Sequence, residues 1–426
     1  MNNEIRNVTI ITIGSLGDFI PYFALAKEFK RKGYTVTLAS HEKYRQRTES
    51  EGLLFKPIKL NPEEMIRDAM SKLMLANEQN TLIFVTEMAR VLFPFVESLI
   101  EDVEKAVKGS DVLLYSALVL GAPDAAQKYG VKAYAALLQP LTPTNEIHSS
   151  FSKDVLFGKL LYNKFSYHAA WLMFWIIFKD IVNNIRENRY ELKRIKTLTP
   201  YLWHKKMGIR YIYGFSKYIL QRPKDWDSSN YVTGFWFNDE AENFPEKKSF
   251  EEFINDSQEK PIYIGFGSMS IANEDKIEKI VNSVLRDTSE RIVLFTGGTE
   301  LKIDNDRVFS CDYMPHNIVF PKVKAVMHHG GSGTTSIALR NGIYQIIMPI
   351  FADQFLWGEQ VFKHGFGLKP MPFFKTKIEK IVQNLKNMKI DESGKILREC
   401  SDNIKSENGT LRVVDIVEKT FHRKVL

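Results

Sequence analysis

The chain has 426 residues, of which 44% are hydrophobic and 26% charged, enough apolar material for two domains of ordinary size and a composition unlike fibrous or disordered proteins. Its net charge of +7 is spread without a long basic run, so nucleic acid is the weakest partner, behind an anionic membrane surface or a polyanionic substrate. Two cysteines, Cys311 and Cys400, make no disulfide framework and fit a cytoplasmic location, and the longest apolar block, Ala169 to Phe178, is about half the ~20 residues that cross a bilayer.

The first residues run straight into a strand, with no signal-peptide pattern. That strand is Val8-Thr9-Ile10-Ile11-Thr12-Ile13, an apolar, β-branched run ending in Gly14-Ser15-Leu16-Gly17-Asp18. The spacing then predicts a helix over 20–32, with Pro21 in its first turn, Gly33 past its end, and Tyr22, Leu25, Ala26 and Phe29 on one face. Residues 34–39 give the second strand. A β-α-β unit with a glycine turn opens a doubly wound sheet, but the third glycine of a dinucleotide fingerprint is missing and Asp18 occupies the turn. An Asp in front of a helix is a common N-cap; the same carboxylate is a candidate base.

Residues 40–60, with His41, Lys43, Arg45 and Arg47, read as a solvated basic loop or helix. Residues 62–108 read as helical, with Leu82, Phe84, Met88, Val91, Leu92, Phe93 and Phe95 making an apolar stripe whose commoner use is core packing. Strands follow at 111–116 and 132–138, with a short helix between Gly121 and Gly130. In Gln139-Pro140-Leu141-Thr142-Pro143-Thr144-Asn145 two prolines prevent regular structure, and the polar groups stand at a strand's carboxyl end, where α/β sheets place ligands. Residues 151–200 crowd aromatic side chains, Trp171 and Trp175 among them, between Lys153, Lys159, Lys164 and Lys179. Such a stretch fits a buried helix, an anionic membrane surface, or the wall around a bulky apolar acceptor. Residues 211–218 read as the last strand of the first half, and the charged run 238–248 as a hinge.

The second half opens like the first: Pro261 to Phe266 is a strand, and Gly267-Ser268 its turn. Residues 291–296 are the next strand. Asp304-Asn305-Asp306 has the Asp-x-Asp form of metal-dependent sites, but the triplet arises readily by chance and no His/Cys/Asp set has zinc spacing, so no metal is expected. Then Ala325-Val326-Met327 reads as a buried strand, His328-His329-Gly330-Gly331-Ser332-Gly333-Thr334-Thr335 as a glycine-rich turn, and Ser336 to Asn341 as a helix closed by Gly342. Unpaired N–H groups and the helix dipole at such a turn attract an anion. Thr334 and Thr335 add hydroxyls and His329 an imidazole. The stretch reads as a diphosphate cradle, or else as a tight turn without a ligand. After strand 344–348 and Pro349 come Asp353 and Gln354, an acceptor beside a group that both donates and accepts, suited to a polyhydroxylated ligand. Residues 411–422 read as a final helix.

His329-Gly330-Gly331-Ser332-Gly333-Thr334-Thr335, followed by Gly342, Pro349 and Asp353-Gln354, resembles the donor signature of the GT-B-fold, family 1 nucleotide-sugar-dependent glycosyltransferases. The nearest subgroup holds the sterol 3β-glucosyltransferases and the glycopeptide-antibiotic glycosyltransferases. The runs Leu138 to Thr144 and Gln221 to Trp226 resemble it too, so the likeness covers nearly the whole chain. It implies two doubly wound Rossmann-like α/β domains facing across a cleft. These are an acceptor-binding domain over 1–220, a linker over 221–248, a nucleotide-sugar-binding domain over 249–405, and a helix over 406–426 that crosses back to the first domain.

The resemblance also implies roles. Asp18 is the catalytic base, in a turn where Leu16 replaces the arginine of many relatives. Gly267, Ser268, His329, Gly331, Ser332, Gly333 and Thr334 hold the diphosphate, Asp353 and Gln354 the sugar, and Tyr313 and Met314 the nucleobase. Gln139, Thr142 and Trp171 meet the acceptor. The reaction implied is transfer of a hexose, glucose from UDP-glucose first, with inversion, onto a hydroxyl of a lipophilic alcohol such as a sterol, terpenoid or polyketide. The nucleotide sugar is a co-substrate, and neither metal nor cofactor is needed. Two other readings stand beside it: a nucleotide-sugar hydrolase or epimerase of the same fold, and a non-catalytic nucleotide-sugar-binding partner, which would have no use for Asp18.

Overall fold

The computed structural model describes residues 4–61, 64, 86, 89–150, 152, 159–239, 244–267, 273–299 and 301–421. The expectations for Ser268, Leu82, Phe84, Met88 and Lys153 lie outside the described residues. The chain divides into two compact units. One comprises Met1–Lys72, Asn80–Asn238 and Glu407–Leu426, and the other is built on Asp239–Ser406.

In chain order the first unit holds β1 (Asn7–Ile11), α1 (Leu16–Arg31), β2 (Thr35–His41), α2 (Arg45–Ser50), β3 (Leu54–Ile58) and α3 (Val96–Val107). It continues with β4 (Val112–Tyr115), α4 (Ala122–Tyr129), β5 (Lys132–Leu137), α5 (Lys159–Asn188), α6 (Pro200–Lys206), β6 (Arg210–Tyr213) and β7 (Asn230–Val232). The sheet is parallel in every pairing and ordered β3-β2-β1-β4-β5-β6-β7. β1 from Val8 onward and all of β4 are buried, the continuous apolar pattern of strands covered on both faces.

Three local readings change. Helix α1 starts at Leu16, four residues earlier than its apolar spacing suggested, because Ser15 is its N-cap and Asp18 closes a capping box from the first turn. Asp18 is therefore not the N-cap, and Pro21 lies inside the helix. Residues 54–58 form an edge strand beside β2, where Pro57 is tolerated because only one side of the strand is paired. The sheet also continues past β6 to β7, so 211–218 does not supply its last strand.

The second unit holds α7 (Lys247–Asn255), β8 (Ile262–Ile264), α8 (Glu274–Asp287), β9 (Ile292–Phe295), β10 (Val308–Cys311), the single-turn α9 (His316–Val319) and β11 (Ala325–His328). After these come α10 (Ser332–Arg340), β12 (Tyr344–Ile347), α11 (Asp353–Lys363), α12 (Ile378–Lys386) and α13 (Ile390–Ser406). Its parallel sheet runs β10-β9-β8-β11-β12.

The last helix, α14 (Gly409–Phe421), buries Val413, Val414 and Val417 in the core of the first unit, beside Phe19, Tyr22, Leu25 and Phe29 of α1. Each such side chain contributes roughly 1.5–3 kcal/mol on burial. Tyr134 Oη lies 2.9 Å from Thr420 Oγ1 and fastens the same helix to β5.

Candidate active site

In both sheets the strand order reverses once, between β1 and β4 in the first unit and between β8 and β11 in the second. Ligands of doubly wound sheets bind at the carboxyl ends of the strands on either side of such a reversal. The Asp18 turn leaves β1 at the first of these points. The glycine turn of His329 leaves β11 at the second, and Gly265-Phe266-Gly267 leaves β8 beside it.

At the first point, Ser15 donates to Asp18 Oδ2 twice, from its N–H at 2.9 Å and from its hydroxyl at 3.1 Å. Oδ1 has no protein partner among the described residues. Burial raises the Asp18 carboxyl above its ordinary range, and the two Ser15 hydrogen bonds only partly offset this. Gly14 is needed because a Cβ there would lie 2.4 Å from Asp18 Oδ2. Leu16 and Gly17 stand exposed next to the half-buried carboxylate.

At the second point, helix α10 begins at Ser332 with Gly331 as N-cap, so the cradle residues are the helix's own first turn and not a loop ahead of it. Thr335 N donates to Gly331 O at 3.0 Å, the first bond of the helix. The N–H groups of Ser332, Gly333 and Thr334 consequently have no intrahelical acceptor and point out of the N-terminus, where the dipole adds about half a positive charge. Thr335 is buried with its hydroxyl turned inward, so of the two threonines only Thr334 can offer its hydroxyl there.

His329 is enclosed by two glycine turns. A Cβ on Gly331 would lie 2.6 Å from its Nε2, and one on Gly267 would lie 3.3 Å from its Cε1. Among the described residues its Nδ1 is buried without a partner, and burial lowers the imidazole to about 4, with His316 adding to the shift. The ring is therefore neutral and offers a hydrogen bond, not a charge. An unsatisfied buried ring nitrogen beside three outward-pointing amides is a set of donors without an acceptor, which an anion would supply.

His328, not among the expected site residues, is fully buried in β11. Its Nδ1 accepts the Gly330 N–H at 3.1 Å, and its Nε2 meets Gln345 Oε1 at 3.0 Å. Sequence offered a signal for it only in the doubling of histidine before the glycines.

Asp353 and Gln354 open α11, in the loop after β12. A Cβ on Gly330 would lie 3.0 Å from Gln354 O, so this loop lies directly against the cradle. Asp353 Oδ2 accepts from Trp357 Nε1 at 3.0 Å. Gln354 Oε1 accepts from the N–H groups of Ile350 (2.8 Å) and Phe351 (3.2 Å), so the amide oxygen read as a sugar acceptor is already engaged and, among the described residues, its NH2 is the free half. Ala352, just before the pair, has φ of 50° and ψ of −130°, a conformation that costs a non-glycine residue about 1–3 kcal/mol and recurs at functional sites.

Tyr313 is half-buried after β10, its carbonyl accepting from Cys311 Sγ at 3.0 Å, and Met314 is buried. In the first unit, Thr142 is buried; its N–H donates to Tyr213 Oη at 3.0 Å and its hydroxyl to Asn230 Oδ1 at 2.6 Å. Trp171 Nε1 donates to Leu141 O at 3.0 Å. These two residues therefore fix the proline-rich loop, whereas the buried Gln139 Oε1 has no partner among the described residues. Among the described residues no three His, Cys, Asp or Glu side chains are grouped to hold a metal.

The model of the glycosyltransferase family 28 N-terminal domain matches residues 8–113, and that of the erythromycin biosynthesis protein CIII-like C-terminal domain matches residues 279–411. A sterol 3-beta-glucosyltransferase of Arabidopsis thaliana is 27% identical over 98% of this chain and 68% of its own length. One from Debaryomyces hansenii is 28% identical over 96% of this chain, which spans only 26% of that relative. Among solved structures, spinosyn forosaminyltransferase SpnP superposes with a TM-score of 0.66 at 15% identity, covering 99% of this chain and all of its own. Glycosyltransferase VinC, in complex with dTDP, gives 0.64 at 16% identity over 98% of this chain and all of its own. The shared fold is GT-B, two Rossmann-like α/β domains.

Proposed function

We propose that this GT-B chain, which resembles the sterol and glycopeptide-antibiotic glycosyltransferases, is an inverting glycosyltransferase that moves a hexose from a nucleoside diphosphate to a hydroxyl of a lipophilic alcohol. UDP-glucose is the donor we favour, because sterol 3-beta-glucosyltransferases recur among the relatives. The observation that carries the reading is His329 held between Gly267 and Gly331 beside the three unpaired amides of α10, with the Asp353-Gln354 loop against Gly330.

In this reading the acceptor hydroxyl gives its proton to Asp18 Oδ1 while its oxygen bonds to the anomeric carbon. The bond from that carbon to the diphosphate oxygen breaks, and the nucleoside diphosphate leaves with the electron pair. The amides of Ser332, Gly333 and Thr334, the Thr334 hydroxyl and neutral His329 donate to the oxygens where that charge grows. Such fixed donors would take the part a divalent ion plays elsewhere. A carboxylate raised by burial is a stronger base than an exposed one, which supports Asp18 in this role. Asp353 and the Gln354 NH2 would hold sugar hydroxyls, and Gln139 Oε1 would accept from the acceptor.

The test is incubation of the purified protein with UDP-glucose and a panel of lipophilic alcohols, with and without EDTA, followed by mass spectrometry. A glycoside formed equally with EDTA is expected. UDP and free glucose without glycoside would make the protein a hydrolase, and binding without turnover a donor-binding partner.

A further inference from the structure

Helix α5 is 30 residues long and only partly covered. Leu161 is 84% exposed, and Phe165 and Ile176 68% each. With half-buried Leu172 they fall at i, i+4, i+11 and i+15, a single stripe along the helix. Helix α6 lies beside it, the Tyr201 ring 6.1 Å from His168 and the His204 ring 5.7 Å from Trp171. Leu198, 68% exposed, and Leu202, 40% exposed, extend the apolar surface next to Tyr201. A soluble surface rarely leaves several large side chains bare in one place unless something covers them.

Cations outnumber acids around this patch, although Asp227 pairs with Lys205 of α6 at 3.3 Å and the Asp180 side chain is exposed on α5. No Asp or Glu occurs from Lys159 through Lys179, nor from Leu192 through Lys224. Exposed Lys164 and Lys179 flank the α5 stripe, and Lys196 and Lys206 are exposed on the α6 side. The nearest acids along α5, Asp180 and Glu187, are both answered by Arg194, at 4.0 and 2.8 Å. Among the described residues no helix is long and apolar enough to cross a membrane. Apolar side chains bordered mainly by cations on a helix that cannot span are the chemistry of the lipid–water interface, where acyl chains take the former and anionic headgroups the latter.

We propose that the exposed face of α5 and α6 docks on an anionic phospholipid bilayer, with α5 lying in the plane of the surface. This does not depend on the transfer reading, although an enzyme acting on lipophilic alcohols would meet its acceptor there. The full chain is sedimented with vesicles of phosphatidylcholine alone and of phosphatidylcholine mixed with phosphatidylserine, at low and high salt. Two double variants, Phe165→Ser with Ile176→Ser and Lys164→Glu with Lys179→Glu, are compared after circular dichroism and thermal melting show them folded. The expected result is binding to the anionic vesicles that weakens with salt and drops about tenfold in each variant. The proposal is overturned by no sedimentation of the parent chain, by equal sedimentation of the variants, or by a dimer in sedimentation equilibrium that the Phe165/Ile176 variant dissolves, which would make the face a contact between copies. Since neither donor nor acceptor is present, failure here leaves the transfer reading standing.

Discussion

His328 Nδ1 accepts the backbone N–H of Gly330 at 3.1 Å, from a ring that solvent does not reach. That acceptor role leaves the proton on Nε2, where Gln345 Oε1 receives it at 3.0 Å. Burial lowers His328 to about 3, so the ring stays neutral and the tautomer is fixed across the working range of pH. One amide of the turn is thereby tied inward, and the amides of Ser332 to Thr334 are left to face a ligand. Replacing His328 by Leu strands both the Gly330 N–H and the Gln345 carbonyl. Loss of a buried hydrogen bond costs about 1–3 kcal/mol. The variant should show a lowered melting temperature and roughly tenfold weaker UDP binding by titration calorimetry. Unchanged affinity would mean that the bond holds the fold and not the cradle.

The glycines of the turn should separate into two classes. Gly330 has φ of +91°, and an added Cβ would lie 2.7 Å from Ile347 Cγ2 and 3.0 Å from Gln354 O. Gly331 has an ordinary φ of −60°, and the atoms nearest its Cβ would be those of the His329 ring. Gly330→Ala should therefore destabilise the protein by several kcal/mol, the sum of backbone strain and overpacking. Gly331→Ala should leave thermal stability nearly unchanged while displacing the imidazole and weakening UDP binding about tenfold. Equal stability loss in both variants would contradict this division.

Asp18→Asn should remove activity and not stability. Proton transfer by a placed base contributes about 10²–10⁴-fold, so kcat should fall by that much, with UDP affinity unchanged. The folded carboxyl titrates above its unfolded value because burial outweighs the Ser15 bonds. Between those two pKa values the folded state holds more protons than the unfolded one, so stability declines as pH rises through that window. Above it the whole penalty remains. The substituted amide has no charge to bury and can still accept from Ser15, so the variant should melt no lower than the parent at about pH 8 and lose its advantage below about pH 4. In the parent, the acid limb of kcat/KM should lie above the ordinary carboxylate range. A melting temperature well below the parent's at about pH 8 would show that the charged form is stabilised where it stands.

Much of this was legible in the chain because the informative features are local. A β-branched run ending in Gly14-Ser15-Leu16-Gly17-Asp18, and an apolar run ending in His328 to Thr335, each fix a strand, a turn and a helix within a short stretch. Strand β3 was not legible, since Pro57 and the charges before it argue against a strand, and only the edge position next to β2 admits one. The role of His328 was hidden for another reason. One partner, Gly330, is two residues on and is met only once the turn folds back, and the other, Gln345, is brought up by the register of β11 against β12, which no spacing along the sequence reveals. Gln354 was half legible: its place beside Asp353 marks a polar site, but which half of the amide is free depends on how the loop folds back.

Two substitutions separate the two halves of that amide. Gln354 Oε1 receives the N–H groups of Ile350 and Phe351, and these precede Ala352, whose positive φ must be held by its surroundings. Gln354→Glu keeps an oxygen for the two amides and removes the NH2, whereas Gln354→Ala removes both. If the NH2 meets the donor sugar, Gln354→Glu should keep the parent's melting temperature and UDP affinity. It should bind UDP-glucose no more tightly than UDP, and its KM for the sugar nucleotide should rise about tenfold. Gln354→Ala should lose the same discrimination and in addition about 1–3 kcal/mol of stability, because two loop amides are then unpaired. Asp353→Asn should also lose sugar discrimination without losing UDP, since its Oδ1 can replace the carboxylate opposite Trp357 Nε1. Calorimetry with UDP and UDP-glucose in parallel reads all three. Full discrimination retained by Gln354→Glu would move the sugar contact away from this loop and leave Gln354 as a brace for the strained turn alone.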